Sequence, residues 1–195
     1  MPRTTRTFIA IPIPAPLKLK LERLQRLIAP SLPDARWVAP AGFHVTLAFL
    51  GDVDDLHLNA VCKAVAESVR GLSPINLTIK TLGAFPDMTK PRVLWIGIEG
   101  GLEALATLQA AVFAAADQAG YRPDTEKFKP HITIGRIKIK RGQEVDMTPL
   151  EAHYRTWAAG VFVADSVVTY ASTGDAEGPS YTPIGIANLS ESRRP

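Results

Sequence analysis

The feature that most constrains this chain is a short internal echo, in which His44-Val45-Thr46-Leu47 returns 87 residues later as His131-Ile132-Thr133-Ile134. Side chains alternate across an extended backbone, so in each copy the His and the Thr project to one face and the aliphatic pair to the other. Each copy therefore reads as a strand with an apolar side for a core and a polar side turned to something else. One such tetrapeptide alone says nothing. Two copies use half of the four histidines of the chain, and both are followed within a few residues by glycine, Gly51 and Gly135. The fold has to present two similar strands.

The segments around the echo alternate between strand and helix character. Residues 6–13 read as a buried strand, and 16–29 as a helix with Leu17, Leu21, Leu24 and Ile28 on one face. Residues 37–50 are again extended around Phe43 to Phe49. Asp54 or Asp55 is then placed to cap a helix whose apolar face is Leu58, Val61, Val65 and Val69, ended by Gly71. Strands follow at 75–82 and 92–98, the second so continuously apolar that it reads as central. Gly100-Gly101 opens an Ala-rich helix over 102–119, stopped by Gly120. Residues 129–140 are extended, with alternating Ile132, Ile134, Ile137 and Ile139, and 161–170 with 181–187 read as a final hairpin around a Gly/Asp/Pro-rich loop. About seven strands and three helices in mixed order predict an α+β fold with mostly antiparallel pairing.

Composition narrows the classes. With 195 residues, 46% hydrophobic and 21% charged, the chain is globular, which excludes disorder, collagen and coiled coil as whole-chain readings. One domain or two small lobes sharing an interface fit the length. A net charge of +3 tolerates an anionic substrate without requiring one. Cys62 is the single cysteine, so no intrachain disulfide, four-cysteine zinc site or iron–sulfur cluster can form, and a reducing, cytoplasmic setting is expected. Arg3 and Arg6 before the apolar run 8–13 imitate a signal peptide, but Pro12, Pro14 and Pro16 break the run, which is better read as a strand. No stretch approaches the ~20 apolar residues of a membrane span, and no membrane association is expected. The tail 190–195 is expected to be disordered, leaving 1–189 as a single domain.

Two imidazoles facing one another across a cleft suit in-line phosphoryl transfer. One takes a proton from the attacking hydroxyl and the other gives a proton to the leaving oxygen. Threonine hydroxyls on the same faces can hold the non-bridging oxygens as charge develops. A serine triad fits worse, because no G-x-S-x-G occurs and Cys62 sits on the apolar helix beside Val61 and Val65. Metal binding also fits poorly, because each copy supplies one ligand and no Asp, Glu or Cys completes a site. His57 and His153 lie in polar contexts and are expected to be solvated.

At these residues the sequence resembles the two-histidine phosphoesterases, and within them the RNA 2′,3′-cyclic phosphodiesterases also called 2′-5′ RNA ligases. The resemblance runs through Phe8-Ile9-Ala10-Ile11, Phe43 to Gly51, Pro91-Arg92-Val93-Leu94-Trp95, Lys129 to Arg136 and a late strand before Tyr181. It implies a bilobal α+β fold of two pseudo-symmetric lobes with mostly antiparallel sheets, helices outside and a central cleft. It further implies metal-independent and cofactor-free opening of RNA 2′,3′-cyclic phosphate ends to 2′-phosphates. The family assignment makes His44 the proton donor, His131 the acceptor that activates water, and Thr46 and Thr133 the phosphate grip. The second motif of the family often continues into Arg, which Arg136 matches, although strict alternation turns Arg136 away from the His131 face unless the strand bends at Gly135.

Charge placement adds to the reading. Residues 122–141 hold Arg122, Lys127, Lys129, Arg136, Lys138, Lys140 and Arg141 against Asp124 and Glu126, which would attract an RNA backbone beside His131. Alternating Lys138 and Lys140 could equally protect an edge strand. Lys129, Arg136 and Phe43 are candidate RNA contacts. Trp37, Phe85 and Phe128 could also stack on a base, although aromatic residues near strands more often belong to a core. The expected partners are RNA ends or cyclic nucleotides, with no obligate protein partner. The alternatives are a phosphodiesterase of small cyclic nucleotides, reversible 2′-5′ RNA ligation, and a non-catalytic module that binds RNA ends.

Overall fold

The alternating apolar residues that mark the strands meet in two antiparallel sheets. The computed structural model describes residues 3–123, 128–139, 145–175 and 178–190. In chain order the elements are β1 (Thr4–Pro12), α1 (Ala15–Ile28), β2 (Ala35–Trp37), β3 (His44–Asp54), α2 (Leu58–Ser68), β4 (Ile75–Phe85), β5 (Val93–Glu99), α3 (Leu102–Gln118), β6 (His131–Ile137), α4 (Thr148–His153), β7 (Ala158–Ala164), β8 (Ser166–Asp175) and β9 (Gly178–Asn188). One sheet has the order β3-β1-β8-β9 and the other β2-β6-β5-β4-β7. The architecture is the bilobal α+β fold that the motifs imply, and β5 is central in its sheet as its apolar run predicts. The tail 191–195 lies outside the described residues.

The two halves of the chain repeat one plan. β1, α1 and β3 form a strand-helix-strand unit ending on the first motif, and β5, α3 and β6 form another ending on the second. Each helix crosses to the opposite sheet. α1 buries Leu17, Leu21, Leu24 and Ile28 and lies against β6 and β7, while α3 buries Leu105, Leu108 and Val112 and lies against β3 and α2 with a lighter contact to β4. Both motif strands thus have their aliphatic backs covered by a helix that belongs, in sequence, to the other half. Val45, Ile132 and Ile134 are fully buried there.

Four local expectations are corrected. The described residues hold nine strands and four helices rather than about seven and three, because 37–50 splits into β2 and β3 around a 3-10 turn at Pro40–Gly42, 161–170 splits into β7 and β8, and Thr148–His153 forms the short helix α4. The stretch 161–170 forms an arm of the final hairpin only from Ser166 onward. It divides at Asp165, β7 joining β4 in the five-stranded sheet while β8 pairs with β1 and β9. The N-cap of α2 is His57, without a side-chain cap bond. Asp54 instead accepts the Leu56 N–H, and Asp55 accepts the Thr5 hydroxyl. Finally, β6 is not an edge strand, since β2 covers its outer side, which removes that reading of Lys138. Lys140 lies outside the described residues.

Candidate active site

Both motif strands show one burial sequence. From His44 to Leu50 the residues run partly buried, buried, partly buried, buried, buried, exposed, buried, and His131 to Ile137 repeats this step for step. The doubled buried step is a β-bulge. Ile9 pairs with Ala48 and Ala10 with Thr46, so Leu47 is the extra residue in β3. Leu94 pairs with Gly135 and Trp95 with Thr133, so Ile134 is the extra residue in β6. Each bulge shifts the alternation by one residue. Phe49 thereby returns to the face of His44 and Thr46, and Arg136 to the face of His131 and Thr133, which corrects the strict-alternation reading of Arg136. Gly135 allows the bend to sit under Trp37, whose ring would lie 3.1 Å from a Cβ there.

The imidazoles are held alike. His44 Nδ1 lies 2.8 Å from the Gly42 carbonyl and His131 Nδ1 lies 2.7 Å from the Lys129 carbonyl. A carbonyl only accepts, so Nδ1 carries the proton in both rings and Nε2 is left as the reactive nitrogen. Aromatic rings complete each seat. Tyr181 meets His44 edge-on at 5.3 Å between centroids, with Phe8 at 4.7 Å. Phe85 meets His131 edge-on at 5.0 Å, with Trp95 at 6.1 Å. Lys129 Nζ sits 4.3 Å from the Trp95 ring centroid and 5.3 Å from that of Phe85. Trp95 is 7% exposed and its Nε1 is a buried donor without a protein partner among the described residues.

Burial dominates the electrostatics. It pushes His44 down to about 4, with the charges of Lys18 and His131 adding to the effect against the Gly42 hydrogen bond. Burial also lowers His131, helped by Lys129 and Arg136 and opposed by the Lys129 carbonyl. The charge of His131 acting on His44 places the two rings within electrostatic reach of one another, in keeping with the contact between β3 and β6. Both imidazoles are therefore neutral near pH 7 in the unliganded protein, and an anion between them would favour protonation of either. The Thr46 and Thr133 hydroxyls are not engaged by any other described residue.

The remaining assignments divide. Lys129 and Arg136 stand beside His131. Phe43 does not line the site: it is 1% exposed, the largest fully buried side chain, because it lies one residue before His44 and so points to the core, which withdraws it as an RNA contact. Phe85 lies at the site, against His131, while Trp37 packs over Gly135. Phe128 packs against the core. Residues Lys127, Arg141, Asp124 and Glu126 lie outside the described residues. His57 and His153 are exposed, engaged by Tyr121 and Tyr154. Lys18, Phe8, Tyr170 and Tyr181 carried no local signal, since they reach His44 from α1, β1, β8 and β9 in turn. Among the described residues no three His, Cys, Asp or Glu side chains gather into a metal-ligating group, and no helix is long and apolar enough to cross a membrane.

A family model described as LigT-like phosphoesterase matches the chain twice, over residues 11–95 and 96–181, one motif in each half. The chain is 33% identical over 182 residues to an RNA 2′,3′-cyclic phosphodiesterase of Geobacillus stearothermophilus, covering 93% of this chain but 56% of that protein. It is 31% identical over 182 residues to one from Thermotoga maritima, covering 90% of this chain and 91% of the relative. Among solved structures, a Thermus thermophilus protein superposes with a TM-score of 0.79 at 23% identity, covering 96% of this chain and all of that one. E. coli LigT complexed with 3′-AMP gives 0.77 at 23% identity, covering 97% of this chain and 100% of LigT.

Proposed function

The chain belongs to the LigT-like phosphoesterase family, and from that premise we propose that it hydrolyses RNA 2′,3′-cyclic phosphate ends to 2′-phosphates with His44 and His131 as its acid and base. The observation that carries this reading is the pair of pseudo-symmetric imidazoles, each with Nδ1 bonded to a backbone carbonyl and each with a threonine hydroxyl two residues on that no other described residue engages. Binding alone has no need for two rings held in one tautomer. The relatives named RNA 2′,3′-cyclic phosphodiesterase support the substrate class.

In this reading His131 Nε2 takes a proton from water as its oxygen bonds to phosphorus. The bond from phosphorus to the 3′-oxygen breaks, and His44 Nε2 delivers a proton to that oxygen, leaving a 3′-hydroxyl and a 2′-phosphate. The electrostatics suit these roles. The larger depression falls on His44, making it the stronger acid once protonated, while His131 is the more basic ring. Thr46, Thr133 and Arg136 meet the charge on the non-bridging oxygens. RNA ends and cyclic nucleotides are both substrates on this reading, 1–189 is the catalytic unit, and the lone thiol suits a reducing cytoplasm.

The test is to incubate the purified protein with 2′,3′-cyclic mononucleotides and short oligomers in EDTA and to identify the product isomer. We expect the 2′-phosphate, and we expect His44→Ala and His131→Ala each to lower turnover ~10²–10⁴-fold. The double variant should lose far less than the product of the two factors, because the rings act together. Near-normal turnover in either folded single variant overturns the two-histidine mechanism, and activity that vanishes in EDTA and returns with a divalent ion points to a metal enzyme.

A further inference from the structure

Gln25 is one of three buried polar residues among those described, 5% exposed in the last turn of α1. Its Nε2 donates to the Ile134 carbonyl at 2.7 Å and to the Val38 carbonyl at 2.8 Å. Ile134 is the extra residue of the β6 bulge. The other half repeats the arrangement: Gln109 of α3 donates from Nε2 to the carbonyl of Leu47, the extra residue of the β3 bulge, over a longer 3.4 Å. A bulged residue drops out of the ladder and its polar groups need other partners. Here each partner is an amide carried on the helix of the opposite half.

We infer that Gln25, with Gln109 as its counterpart, is a positioning residue that fixes the motif bulge and thereby keeps Arg136 on the face of His131. The bulge alone decides which side of β6 Arg136 occupies, and its buried carbonyl is stabilised by the Gln25 amide together with the Val38 N–H at 3.0 Å. A leucine or methionine at position 25 would fit the apolar surroundings of α1 but would take the Gln25 donor from the Val38 carbonyl and leave the Ile134 carbonyl with the Val38 N–H alone. Sliding the extra residue along the strand is then the available relief, and it turns Arg136 away. The role in turnover rests on the hydrolase reading above; the role in geometry does not.

The experiment separates the two. In Gln25→Met, whose unbranched chain fills the same slot, the His131 pKa is followed by NMR of labelled imidazole. The groups facing that ring are Lys129, Arg136 and His44. Because the Arg136 charge opposes protonation of His131, its withdrawal should raise the pKa by ~0.5 unit or more. Arg136→Ala should give a similar rise, and the double variant no further one. Turnover of a 2′,3′-cyclic mononucleotide should fall ~10-fold in kcat/KM in Gln25→Met and hardly at all when Gln25→Met is added to Arg136→Ala. A lowered Tm with unchanged His131 pKa shows a purely structural glutamine and overturns the proposal, as does additivity with Arg136→Ala in the pKa. Should wild type itself not turn over, the hydrolase reading fails while the NMR comparison still decides the positioning role. If Gln25→Met does not fold, Gln109→Met, on a partly exposed site, should be non-additive with Phe49→Ala in KM, and additivity there overturns the proposal.

Discussion

At the scale of single residues, the chemistry turns on two imidazoles whose proton affinity is held down by burial. The free protein is singly protonated in an acidic window, since His44 lies near 4 and His131 below its ordinary value; the more basic His131 holds most of that proton, and the productive form, with the proton on His44, is a minor and constant fraction of the same window. We therefore expect kcat/KM to be bell-shaped with its maximum below about pH 6.5, the usual imidazole value, each limb belonging to the coupled pair. The kcat profile should lie to higher pH, because a bound phosphate anion favours both protonated forms. Coincident kcat and kcat/KM profiles centred above neutrality would contradict the burial argument. The same depression affects stability. The folded state disfavours protonated His44, so its contribution is full above about 6.5 and is lost as pH falls toward 4. Relative to His44→Gln, the wild type should lose on the order of 2–3 kcal/mol of unfolding free energy between pH 7 and pH 4. Equal losses in urea melts of the two proteins would remove this account.

At the scale of elements, the site depends on where strands are irregular or bare. Two glycines, Gly83 and Gly97, leave room for the Trp95 indole to lie flat beside His131: a Cβ at Gly83 would sit 2.2 Å from the ring, and one at Gly97 3.4 Å from it. The ring is rigid and covered by Lys129 and Phe85, so it cannot yield easily. Gly83→Ala should cost ~1–3 kcal/mol through overpacking and should lower kcat, because the displaced indole and Phe85 are what seat His131. Gly174→Ala, where a Cβ meets nothing within 4 Å, is the control and should leave Tm and kcat unchanged. A Gly83→Ala protein with wild-type Tm and kcat would show that the indole is free to move.

At the scale of the whole molecule, the cleft collects positive charge from distant parts of the chain. Lys18 of α1 acts on His44, Arg6 of β1 and Arg136 of β6 act on Tyr181, and Lys129 and Arg136 act on His131. Only Lys129 and Arg136 belong to the basic stretch visible in the sequence. A cleft ringed this way should bind longer RNA through several phosphates. We expect KM for a cyclic-phosphate oligomer to rise more steeply with salt than KM for a cyclic mononucleotide, with a log–log slope of about 0.7 per additional phosphate engaged. Lys18→Gln should flatten the oligomer slope and leave the mononucleotide slope nearly as it was. Identical slopes for the two substrates would confine recognition to the terminal nucleotide.

The two motif strands, their apolar and polar faces, the helix faces of α1 and α3 and the central place of β5 are all legible in the residue order, because each is written in a local period of two or about 3.6 residues or in a continuous apolar run. The alternation puts His44 with Thr46 and His131 with Thr133 on one face of each strand, and all four are partly buried. Where that period breaks depends on contacts between distant strands. A bulge exists by mismatch with a neighbouring strand, so the return of Phe49 and Arg136 to the motif faces could not be read from β3 or β6 alone. The same holds for the division of 161–170 between two sheets, which is settled by what β4 and β1 offer as partners. Phe43 went to the core because its neighbour His44 took the open face. The meaning of Gln25 lies in a carbonyl 109 residues away, brought beneath it only when each helix crosses to the other half.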